Sequence, residues 1–159
     1  MKKQGNVGMS AGGTFDAIDT SEWPVVCVTI SHPPVNMEEI DFFQAKFIAL
    51  LHLARHGADG VPPEPLCLMM TMDGILNATM EQQLRAASFI REVKEYVTDT
   101  IFCTALVVRS PLVCMILEFV TTLQPLQSLH KMFEGEDEAL AWCRMNRERQ
   151  ERGESPMYE

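Results

Sequence analysis

His52 and His56 stand four residues apart in a stretch of helical period, the spacing at which two imidazoles can reach one metal ion. The Glu of a zinc-hydrolase motif does not stand between them and no third ligand is evident, so the pair reads as helix surface. Five cysteines (27, 67, 103, 114 and 143) include no CxxC spacing. A cysteine nucleophile needs a thiolate beside a base, whereas Cys27, Cys67 and Cys103 sit inside apolar runs and read as small core residues. Asp73-Gly74 would put a carboxylate at the C-terminal end of a strand, where open α/β sheets bind ligands; the same pair also reads as a turn. Thr79 opens a helical stretch, where backbone N–H groups favour a phosphate; as an N-cap it needs no modification. These residues complete no acid–base or nucleophile set, so the sequence assigns no catalytic residue, no metal and no cofactor, and the chain reads as no enzyme.

The elements that carry these residues follow from apolar period and turn chemistry. At 159 residues, 47% hydrophobic and 22% charged, the chain has the size and balance of one globular domain. A net charge of −9 lacks the clustered cations of a nucleic-acid surface. The longest apolar run, 112–120, is interrupted by Glu118 and falls short of the roughly 20 residues needed to span a bilayer, so no membrane insertion is expected. Met1-Lys2-Lys3 leads into Gly, Asn and Ser rather than an apolar signal core, and the odd, unpaired cysteines suit a reducing compartment, so the expected location is cytoplasmic.

Residues 1–13 read as a flexible tail, 14–143 as the domain, and 144–159 as a charged helix end and tail with a solvated Arg/Glu pattern. A turn over 19–22 leads into a strand over 23–30, which His32-Pro33-Pro34 stops. A helix follows, with Asn36 as N-cap, an apolar row through Ile40, Phe43, Phe47, Leu51 and Ala54, and Gly57 as its stop. Strands over 66–72, 101–108 and 129–133 alternate with helices over 79–97, from Ser110-Pro111 to before Pro125, and after 134–137. Alternation of this kind implies an α/β domain, a mixed sheet of about five strands with about four helices.

The helix over 112–123 stands apart, because Leu112, Val113, Met115, Ile116, Leu117, Phe119, Val120 and Leu123 wrap most of its circumference. A helix apolar all round must be covered all round. Leu112, Met115, Ile116, Phe119, Val120 and Leu123 are therefore candidate interface residues for protein partners or a homo-oligomer; the other reading is a core helix covered by the C-terminal segment. Eleven methionines, Met69, Met70, Met72, Met80, Met115 and Met132 among them, supply adaptable apolar surface or core filling.

Residues 23–30, the helix over 37–56, residues 66–75, Ala105-Leu106-Val107-Val108-Arg109-Ser110-Pro111 and Met132-Phe133-Glu134-Gly135-Glu136-Asp137-Glu138-Ala139-Leu140-Ala141-Trp142 together resemble the SpoIIAA-like branch of the STAS superfamily. The resemblance covers most of 15–142 and implies a domain that regulates or scaffolds by binding partners. In the family's phosphorylated switches, Asp-x-Ser-Gly is followed by an Asp-Ser whose serine takes the phosphate. Here, with Gly74 aligned, Thr79 takes the Asp position and Met80 the serine position. This departure moves the expectation from a phosphoswitch at Thr79 toward an adaptor or structural subunit docking through the 112–123 helix and both tails. A small-ligand or lipid-binding regulator is the competing expectation, since such folds can open an apolar pocket beside the sheet.

Overall fold

Steric pressure from β-branched side chains places the apolar runs in a sheet. The computed structural model describes residues 16–32 and 36–159. The tail expected over 1–13 and the proline stop at Pro33-Pro34 lie outside them. The elements are β1 (Asp16–Glu22), β2 (Val25–Ile30), α1 (Met37–His56), β3 (Leu66–Thr71), a short 3-10 turn (Asp73–Ile75), α2 (Met80–Thr100), β4 (Ile101–Val107), α3 (Pro111–Leu123), β5 (Leu129–Phe133) and α4 (Glu136–Glu151). The strands lie in sequence order, β1 antiparallel to β2 and the other four mutually parallel. The expected five-stranded mixed sheet with four helices is what the chain forms.

Sequential order dictates the layering. Parallel crossovers are right-handed, so three that all step the same way leave α1, α2 and α3 on one face. Val26, Val28, Ile30, Leu66 and Leu68 point to that face and pack with Phe47, Leu51, Phe89 and Val93. Without α4 the opposite face would be bare. α4 returns across it, seating Ala139, Trp142 and Cys143 on Val25, Cys67, Met69, Cys103, Ala105 and Val107. Small residues on both sides let α4 lie close to the sheet.

Two local departures have clear causes. The hairpin turn falls at Trp23-Pro24 rather than at 19–22, because Pro24 has no N–H for a ladder and Trp23 N–H closes the turn on Thr20 O at 3.1 Å. The turn chemistry expected at 19–22 survives within β1, where Asp19 accepts from Ser21 N–H and the pairing slips between Asp19 and Glu22. In β4, Leu66 pairs with Ile101 and Cys67 with Cys103, so Phe102 is the extra residue of a bulge. It keeps Ile101 on the α1/α2 face while Phe102 and Cys103 both turn to α4.

Candidate functional site

α3 is amphipathic in place, although its sequence is apolar almost throughout. Val113, Leu117 and Val120 are buried, the first two against Leu106 and Val108. Leu112 is 59% exposed, Met115 63%, Phe119 36% and Leu123 49%. Spacings of three, four and four put these four residues in one row along the outer face. Val120, expected at the interface, is instead core, 5% exposed, because its side of α3 faces inward onto a cavity. Ile116 is half-buried and walls a cavity. The C-terminal segment does not cover α3, since α4 occupies the opposite face of the sheet.

That cavity lies between the sheet and the layer of α1, α2 and α3, with a volume of about 250 Å³. Ile30, Phe43, Leu68, Met70, Phe89, Ile90, Leu106 and Leu117 are among its walls. On α2 and the turn before it the wall includes Ala78, Gln82, Gln83 and Ala86, small or polar residues where a filled core would carry large apolar ones.

Asp73 and Thr79, single candidates in the sequence, both carry helix starts. Asp73 Oδ1 accepts from the backbone N–H of Arg109 at 2.8 Å and of Ser110 at 3.4 Å, and Arg109 Nη1 pairs with Asp73 Oδ2 at 3.3 Å. The carboxylate thus ties the end of β3 to the start of α3. Ser110 occupies the N-cap position there, but its side chain makes no capping bond. Thr79 Oγ1 accepts from Gln82 N–H at 3.2 Å, while Gln82 Oε1 accepts from Thr79 N–H at 3.0 Å, a reciprocal capping box. A phosphate on exposed Thr79 would have to replace this pair.

His52 and His56 stack with ring centroids 5.8 Å apart on the exposed side of α1, and His52 meets the Tyr96 ring at 5.2 Å. Among the described residues no three His, Cys, Asp or Glu side chains form a metal-holding group. Cys67, Cys103 and Cys143 are buried together under α4, with Cys143 Sγ donating to Leu68 O at 3.3 Å. Thiol neighbours and burial push Cys103 up in pKa, and burial pushes Cys27 up to about 11. Both are held as thiols, the opposite of what a nucleophile needs.

The sequence reading missed two buried polar sites. Asn146, in the segment read as a solvated helix end, is fully buried. Its Oδ1 accepts from Met157 N–H at 2.8 Å and its Nδ2 donates to Met157 O at 3.2 Å. Trp142 Nε1 donates to Tyr158 O at 3.0 Å, so the last residues fold back on their own helix. The boundary drawn at 143/144 falls inside α4, one continuous helix. Asp16, the second missed site, is buried at the start of β1 and ion-paired to Lys46 of α1. Asparagine with a partner eleven residues away and aspartate with one thirty away leave no periodic signal.

Among the described residues no helix is long and apolar enough to cross a membrane. No family model, curated protein or solved structure matches the chain.

Proposed function

We propose that this chain is a non-enzymatic protein-interaction module of STAS-like type, an adaptor or structural subunit that works in a reducing, cytoplasmic setting. The outward row on α3 carries the reading: Leu112, Met115, Phe119 and Leu123 form a stripe at helical spacing on a helix whose other side is already packed. Contiguous exposed apolar side chains of this kind mark contact surfaces, and the row has the spacing at which a partner helix sets its own side chains between them. Thiols held protonated at half-buried Cys27 and buried Cys103 support the non-catalytic part of the reading. Engagement of Asp73 and Thr79 in helix starts supports structural roles for both.

The test uses the full-length chain and a Met115→Glu, Leu123→Glu double variant as baits in native extract, with the molar mass of each measured alone by light scattering. The expected result is a second copy or a stoichiometric partner held by the wild type and lost by the variant, at unchanged thermal midpoint. Equal recovery and equal mass for both chains would overturn the docking role of α3.

A further inference from the structure

The cavity has a shape and a polarity that together specify an occupant. Its wall on α2 runs from Gln82 to Val97, fifteen residues along the helix and so about 22 Å at 1.5 Å per residue. A volume of about 250 Å³ drawn out along such a wall is a channel. It has room for about eight water-sized groups, at about 30 Å³ each, so a chain anchored at one end fills part of the wall's length.

Both ends of the channel carry polar side chains, Gln44, Gln82 and Gln83 at one and, at the other, a cation among hydroxyl and amide groups. Lys94 lies near the end of α2, just before β4 begins, and Thr121, Gln127 and Ser128 lie between the last turn of α3 and the start of β5. Because β4 and β5 are parallel, both groups fall at the N-terminal edge of the strands. Thr104 Oγ1 and Ser128 Oγ, 3.5 Å apart, mark that edge on the sheet side. Lys94 is exposed while contributing to the cavity wall, an apolar stem with its ammonium toward water. It makes no ion pair with any described residue. The chain carries a net charge of −9, and this cation stands at the mouth of an apolar channel.

We propose that the channel under α2 binds a single-chain aliphatic carboxylate, a medium-chain fatty acid, with the alkyl chain against the apolar wall and the carboxylate at Lys94. This site lies on the inner side of α3 and is independent of the docking row on its outer side.

Binding is measured by titration calorimetry on the full-length chain, with decanoate, octanoate and decanol as probes and phosphatidylcholine vesicles as a separate arm. Decanoate is expected to bind one to one, and octanoate, two methylenes shorter, roughly tenfold more weakly. Lys94→Met is expected to weaken decanoate about tenfold and leave decanol unchanged. Ala86→Phe, which fills the channel, is expected to abolish both, with folding checked by circular dichroism. Should Ala86→Phe fail to fold, Ile90→Trp on the same wall replaces it. Equal decanoate binding by the wild type and the filled variant would overturn the site. Indifference of decanoate to Lys94→Met would overturn the carboxylate assignment. Transfer from vesicles without any binding of free decanoate would overturn the fatty-acid reading in favour of a phospholipid.

Discussion

Gly74 shows how one residue fixes the junction on which the candidate sites depend. A Cβ there would stand 2.6 Å from His32 N and closer still to Ile30 O, both backbone atoms at the end of β2. Gly74→Ala is expected to destabilise by about 2–3 kcal/mol, the range of overpacking against a rigid neighbour, read as a lower urea midpoint at unchanged slope. The sequence reading treated Asp73-Gly74 as turn or ligand site, and its turn character was legible. The need for close backbone approach was not, because the atoms in the way belong to a strand forty residues earlier. Cys27 gives a pH prediction at the same scale. Its thiol ionises at about 11 in the fold against an ordinary 9.0. Between those values the unfolded chain binds fewer protons than the folded one, so this group's contribution is complete below pH 9 and is lost as pH rises toward 11. Urea midpoints measured at fixed pH should fall across that window for the wild type and fall less for Cys27→Val.

Among the elements, α3 is where sequence reading reached furthest and then erred. An all-round apolar pattern identified a helix in need of cover on every side, but could not say which third of the circumference the sheet would take. The crossover sets that, and it buries Val113, Leu117 and Val120 while leaving Leu112, Met115, Phe119 and Leu123 outside. Single Glu substitutions at Met115 or Leu123 should therefore change stability by no more than about 0.5 kcal/mol, whereas Val120→Ala should cost about 1–2 kcal/mol, as measured by thermal melts. The start of α3 has its own dependence. Asp73→Ala removes the acceptor for two backbone N–H groups and should cost about 1–2 kcal/mol, while Ser110→Ala, whose side chain caps nothing, should be nearly silent.

For the whole molecule, period and alternation were enough to give five strands and four helices, since local propensity and burial agree along most of the chain. Partnerships between segments far apart in sequence were hidden: Asp16 with Lys46, Asn146 with Met157, and the close seating of α4 on a face of cysteines and alanine. Deleting 154–159 should lower stability by about 1–3 kcal/mol through the stranded amide of Asn146, and the effect should be reproduced by Asn146→Ala with the tail intact. A sheet whose strands follow in chain order also has a temporal consequence. Each β/α unit can add to its predecessor as it leaves the ribosome, building one face with α1, α2 and α3 already in place. The other face, with Cys67 and Cys103, stays open until 136–151 has emerged. During synthesis, the thiols most protected in the finished molecule are thus the last to be shielded from oxidants and from the sticky surfaces of neighbouring nascent chains.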